Sequence, residues 1–336
     1  MPASRLATGM NQDRNDRPAP NRLRRAGLAA LGVGAVGAGL AAISALLGRD
    51  AERKVPADGG FVDVDGTRVH YVDRGSGPAV VMVHGLGGQI RNFTYALSEL
   101  LESEHRLIIL DRPGSGYSKA EPGTTPDIRA QGRLVARLID KLGLEKPLVV
   151  GHSLGGAVAL AAALAAPGKI GGLLLLAPLT QPMDQVPEVF RRLQRDSALS
   201  RKLVARTVGV PVGRLTSKPN LQMIFAPDPA PDDFGTRGGG LLALRPGNLE
   251  AAMYDIFASR DDLDVLVRRY GELALPVSIL FGRGDRLLDP ELHGRTTAAT
   301  IAGGEFELIE GGHMLPVTHP EDCARMLRAV LARVNR

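Results

Sequence analysis

The chain has 336 residues, of which 44% are hydrophobic, 23% charged and 4% aromatic, with no tryptophan. That is enough apolar material for one large domain with an insertion, or for two modest domains, and plentiful but unperiodic Gly and Pro exclude collagen-like and low-complexity chains. The net charge is +5, but residues 1–25 hold six arginines and two aspartates, which leaves 35 basic and 34 acidic residues in the rest; a body so near neutrality lacks the basic face that nucleic-acid binding requires.

Residues 1–25 read as a basic tail. From Ala26 to Gly48 there are 23 residues without a charge, long enough to cross a bilayer as a helix. Arg22, Arg24 and Arg25 precede them, which places the N-terminus in the cytoplasm and the body outside. The leading expectation is therefore a membrane partner engaged through residues 26–48, as an uncleaved signal anchor. The stretch exceeds the ~7–15-residue apolar core of a cleaved signal. Two alternatives stay open. Ala42-Ile43-Ser44 fits a small-x-small cleavage site, which gives a secreted or periplasmic protein. Only eight of the 23 residues are Leu, Ile or Val, so an unanchored cytoplasmic chain with an apolar tail also fits. Residues 49–58 are polar and read as a linker.

The body then alternates strand and helix. FVDVDGTRVHYVDRG alternates apolar and polar residues about an Asp-Gly, predicting a hairpin with strands near Phe61–Val64 and Arg68–Val72. Ala79–His84, His105–Asp111, Pro147–Val150, Ile170–Pro178 and Pro276–Gly282 are continuous apolar runs, as expected of strands covered on both faces. Helices are expected near Asn92–Leu101, from Thr125-Pro126 onward, over 155–166, near Glu291–Ile301 and from Pro320 to Val334, and a further strand over Glu305–Glu310. The pattern predicts an α/β fold with a mostly parallel, doubly covered sheet. Nearly 100 residues between Pro178 and Pro276 are too many for a connection. They predict a mainly helical insertion over 179–270, with the core formed by 59–178 and 271–336.

Ser153 lies directly between an apolar strand and the helical GGAVALAAALAA, with Gly151 and Gly155 two residues to either side. A sharp strand-to-helix turn brings backbones together, so small residues are needed there, and it lifts the hydroxyl to the carboxyl edge of the sheet. The helix N-terminus behind it offers free N–H groups to an oxyanion. Gly-x-Ser-x-Gly alone is weak; the strand–turn–helix context makes Ser153 a candidate nucleophile.

HGLGG (84–88), DRPGSGYS (111–118), GHSLGG (151–156), FGRGDRLLDP (281–290) and GGHMLPVTHPE (311–321) occur in that order. Carrying these motifs, the chain from about Phe61 to Val334 resembles α/β-hydrolase fold proteins, specifically serine hydrolases of esterase or lipase type with a cap. The resemblance implies a base in the loop after the last strand, His313, with His319 as the alternative. Asp285, within three residues of a strand's carboxyl end, is the candidate acid that orients it, and Asp289 is the alternative. The order Ser–Asp–His is the one this fold uses. The amides of Leu154 and Leu86 are the candidate oxyanion donors. The resemblance assigns His84, His152, Asp111 and Arg112 to scaffolding.

Nothing in the sequence calls for a cofactor or a metal. No cluster of His, Cys, Asp and Glu has metal-ligand spacing, and no Gly-rich loop ends in Gly-Lys-Ser/Thr. His70, His105 and His293 have no partner pattern, and a single cysteine, Cys323, excludes an internal disulfide. Residues 189–207 carry six basic side chains and one acidic. They read as a solvated helical face, or as a surface for anionic lipid or substrate. Met223, Phe225, Met253, Tyr254 and Phe257 read either as pocket wall or as the insertion's own core. The expected activity is cleavage of a carboxylic ester, on a small-molecule ester or lipid with an apolar acyl group, through an acyl-enzyme. Carbon–carbon hydrolysis of ring-cleavage diketones, cofactor-free haloperoxidase or perhydrolase chemistry, and a non-catalytic binding module on the same fold are the alternatives. An aspartate nucleophile, as in epoxide hydrolases and haloalkane dehalogenases, is excluded by Ser153, and halide-binding tryptophans by their absence.

Overall fold

The computed structural model describes residues 20–121 and 123–334. Most of the predicted basic tail, residues 1–19, lies outside them. The chain forms two compact units, residues 1–39 and 40–336. The described part of the first is helical. Helix α1 spans Pro20–Lys54.

The second unit carries an eight-stranded sheet. Its strands are β1 (Gly60–Val64), β2 (Thr67–Arg74), β3 (Ala79–Val83), β4 (Arg106–Leu110), β5 (Leu148–His152), β6 (Gly172–Leu176), β7 (Val277–Gly282) and β8 (Glu305–Ile309), in the order β1-β2-β4-β3-β5-β6-β7-β8. β1 pairs with β2 and β2 with β4 antiparallel; all the other pairs are parallel. Every residue of β5, β6 and β7 is buried. Helices on both faces explain the near-continuous apolar runs.

The helices are α2 (Arg91–Thr94), α3 (Ile128–Lys141), α4 (Leu154–Ala165), α5 (Ala198–Arg206), α6 (Gly209–Leu215), α7 (Ser217–Phe225), α8 (Pro246–Val267), α9 (Thr296–Thr300), α10 (Leu315–Thr318) and α11 (Pro320–Val334). α5 to α8 all fall between β6 and β7. α3 starts later than Thr125-Pro126 suggested, because the Asp127 side chain accepts from the Ala130 amide and caps it. The helix expected near Asn92–Leu101 is only α2 and a 3₁₀ turn at Ser98–Leu100. The one expected near Glu291–Ile301 opens with a π-turn at Glu291–Arg295 before α9.

The membrane-spanning expectation for 26–48 is corrected. Among the described residues no helix is long and apolar enough to cross a membrane. Fourteen of those 23 residues are Ala or Gly, which add length without much apolarity. The later part of α1 also packs on protein. Ser44 is buried and donates to the Thr207 carbonyl at 2.6 Å. Leu47 packs with Ala205, Val210, Leu249 and Met253, and Ala51 with Leu242.

Candidate active site

Ser153 closes the turn from β5 to α4 with φ 54° and ψ −123°, a region where a side chain is strained by ~1–3 kcal/mol. Its amide donates to the Leu176 carbonyl at 3.0 Å, and its own carbonyl accepts from Gly156 and Leu179. These three bonds hold the strained backbone in place. The turn is so tight that a Cβ at Gly151 would strike Gly155, and one at Gly155 would strike the carbonyls of Val83 and His84. This is the physical content of the spacing seen in the sequence.

His313 and Asp285 come together from the loops after β8 and β7. The His313 Nδ1–H donates to Asp285 Oδ2 at 2.7 Å, with both side chains almost wholly buried. A carboxylate only accepts, so the bond fixes the proton on Nδ1 and leaves the Nε2 lone pair free. The other Asp285 oxygen accepts from the amides of Leu287 and Leu288 at 2.8 and 3.1 Å. Burial alone would push the Asp285 carboxyl up; the facing His313 and the two amides outweigh it and hold it below its usual range. The alternatives are occupied elsewhere. Asp289 is exposed and accepts from the Glu291 amide, and His319 meets Thr318 and Asp228.

Ser153 and His313 lie in the wall of one cavity of about 570 Å³. Most of its remaining wall is apolar and comes from the insert, including Leu193, Val204, Val212, Ile224, Leu249 and Met253. A smaller hollow of about 50 Å³ shares Ser153, His313, Leu86 and Phe190 and continues towards Met183 and Val186. Met223 and Met253 do line the main cavity. Phe225 instead packs with Phe234 and Met314, while Tyr254 and Phe257 lie beside the Arg201 guanidinium. In the basic stretch, Arg192 and Arg195 reach the cavity wall, Arg201 is buried and donates to main-chain carbonyls, and Arg206 pairs with Glu250.

Leu86 sits in the loop after β3, and its amide donates to no acceptor among the described residues. Leu154 is the first residue of α4, where amides lack an intrahelical acceptor. The Leu86 loop is shaped by Arg112, a fully buried guanidinium. Its Nε and Nη2 donate to the carbonyls of His84 and Gly85, and its Nη1 to Gln131 and to Asp255. Asp255 lies on α8, and its other oxygen accepts from Gln131. The sequence offers no marker for Asp255, one acidic residue among several on its helix.

Two links bind the His313 loop to its surroundings. The His152 Nε2–H donates to the His313 carbonyl at 3.0 Å. The Gly312 amide donates to Asp228 at 2.9 Å, and Gly312 lies against the carbonyls of Phe225 and Ala226.

Three buried histidines are held neutral. Burial takes His152 down to about 3 and His293 to about 4, and burial with Arg112 alongside takes His84 well below its usual value. In the unfolded chain each titrates near 6.5, so between that pH and the folded value the unfolded state binds more protons. Their contribution is complete above pH ~6.5 and is lost as pH falls, at up to about 1.4 kcal/mol per pH unit for each histidine. Urea titrations from pH 7.5 to 5 are expected to show this slope, and His293→Gln to reduce it. A stability flat over that range contradicts the assignment.

A mostly parallel sheet with a serine on the strand–helix turn and a His–Asp pair at the same cavity defines a hydrolase-type α/β protein. The chain belongs to the α/β-hydrolase fold family, whose model matches residues 78–320. It is 28% identical over 288 residues to a 2-hydroxy-6-oxononadienedioate/2-hydroxy-6-oxononatrienedioate hydrolase of Klebsiella pneumoniae, covering 79% of this chain and 91% of that one. It is 39% identical over 121 residues to the dihydrolipoyllysine-residue acetyltransferase component of the acetoin cleaving system of Cupriavidus necator. That match covers 35% of this chain, and the chain spans only 32% of the acetyltransferase component. The crystal structure of an α/β-hydrolase fold protein from Burkholderia ambifaria superposes with a TM-score of 0.68 at 23% identity, covering 80% of this chain and 96% of that one.

Proposed function

We propose that the protein is a serine hydrolase that cleaves a carboxylic ester with an apolar acyl group. The observation that carries this is His313, bonded from behind to the buried Asp285, sharing with Ser153 the wall of a largely apolar cavity of about 570 Å³. Ser153 Oγ attacks the ester carbonyl carbon and His313 Nε2 takes its proton, while Asp285 steadies the imidazolium. The amides of Leu86 and Leu154 receive the oxyanion. The C–O bond then breaks, the alcohol leaves with the proton from His313, and the acyl group stays on Ser153. A water, deprotonated by His313, attacks that acyl-enzyme; the acid departs and the serine is restored.

A panel of p-nitrophenyl esters tests this. Each methylene buried in the cavity adds up to about 0.8 kcal/mol, so kcat/KM is expected to rise by up to about fourfold per carbon from acetyl towards octanoyl. A panel that peaks at acetyl argues against an apolar acyl site.

A second reading is hydrolysis of a carbon–carbon bond in a vinylogous diketone. It is favoured by the Klebsiella pneumoniae relative, whose name specifies a dioate, and by Arg192 and Arg195 in the cavity wall, which suit a carboxylate. Turnover of a carboxylated vinylogous diketone faster than any ester would install this reading in place of the first.

A further inference from the structure

We propose that the outer face of α5 and α6 docks on an anionic lipid surface and sets the cavity mouth against it. Leu199 and Leu203 are 74% and 60% exposed and stand four residues apart on α5, on one face of that helix. Val208, Val212 and Leu215 repeat the helical spacing on the next segment, and Leu215 is 84% exposed. Single exposed leucines are ordinary, but five large apolar side chains along two consecutive helices and the link between them mark a surface with a partner.

The place of this surface matters. Val208, Val212 and Met223 are exposed and also line the cavity that holds Ser153 and His313. The apolar rows therefore border an opening to the site. The Ser44 hydroxyl bonds to the Thr207 carbonyl between α5 and α6, and Ile43 and Leu46, on the same helix as Ser44, are also exposed.

Charge selects the occupant. From Ala198 to Phe225 there are five basic residues and no acidic one. Arg206 and Arg214 have carboxylate partners elsewhere, while Lys202 and Lys218 are exposed and form no ion pair among the described residues. Exposed leucines beside lysines are the composition of a helix that lies in a headgroup layer. A second copy of the chain would set like charges against each other. Docking of this face is independent of which bond the site breaks and needs no membrane-crossing segment.

Co-sedimentation of the full chain with phosphatidylcholine vesicles containing about one-third phosphatidylglycerol tests it. The full chain is expected to bind these vesicles better than pure phosphatidylcholine. The triple variant Leu199→Ser/Leu203→Ser/Leu215→Ser is expected to lose binding by roughly tenfold or more. Lys202→Gln/Lys218→Gln is expected to lose several-fold and to bind with less salt dependence. None of these five residues lines the cavity, so hydrolysis of a soluble short-chain ester and the melting temperature stay unchanged. If the triple variant does not melt cooperatively, Leu215→Ser alone carries the test with a smaller loss. Vesicle binding that survives the substitutions, or no binding by the parent chain, overturns the proposal. So does a dimer of the parent chain that the triple variant splits.

Discussion

Ser153→Ala is expected to lower turnover by roughly 10⁴- to 10⁶-fold, with no loss of folded protein. In the proposed reaction the hydroxyl is the group that bonds to the substrate, while the backbone bonds holding the turn at Leu176, Gly156 and Leu179 involve no side-chain atom of residue 153. Labelling by a fluorophosphonate is expected to vanish in the same variant. Ser153→Gly gives a sharper contrast. It removes the Cβ from a backbone at φ 54°, so it is expected to be equally inactive yet as stable or more so, by ~1 kcal/mol. Kinetics and thermal melts of the three proteins decide the matter. Substantial turnover by Ser153→Ala removes the proposed chemistry; a Ser153→Gly protein less stable than its parent removes the strain argument.

Asp255→Ala is expected to be the most destabilising single change near the site. It leaves the Arg112 guanidinium, 1% exposed, without its carboxylate. Uncovering one partner of a buried pair costs about 3–5 kcal/mol. The double variant Arg112→Met/Asp255→Leu removes both charges and is expected to recover much of that loss, because the penalty belongs to the unpaired charge. It is not expected to recover full turnover. Arg112 also holds the carbonyls of His84 and Gly85, which set the loop that presents the Leu86 amide. Urea titrations of the parent, both singles and the double complete the cycle. A double variant no more stable than Asp255→Ala would mean that the carbonyl contacts dominate over the ion pair.

The buried strands were legible because burial on both faces leaves an uninterrupted apolar run, as in Leu173–Leu176. The Ser153 turn was legible because tight backbone contact admits only glycine at 151 and 155. Both are local constraints written into neighbouring residues. Asp255 was not legible, since its partner lies 143 positions away in the chain and its helix shows other aspartates. The short α2 was overestimated for a related reason. Asn92 and Gln89 turn their side chains to the Gly238 carbonyl of the insert, a long-range demand that helical periodicity does not express. Residues 26–48 misled through length. Their lack of charge met the span criterion, but their Ala and Gly content supplied too little apolarity, and Ser44 and Leu47 answer to the protein surface they face.

The bond from Gly312 to Asp228, with the Phe225 and Ala226 carbonyls pressed against that glycine, has a mechanical corollary. Residues 225–228 belong to the insert by position in the chain but travel with the imidazole-bearing loop. Any movement of α5, α6 and most of α7 that keeps His313 aligned must pivot before Phe225, and it must either break the Ser44–Thr207 bond or carry the later part of α1 along. Such a movement leaves the His313–Asp285 bond intact.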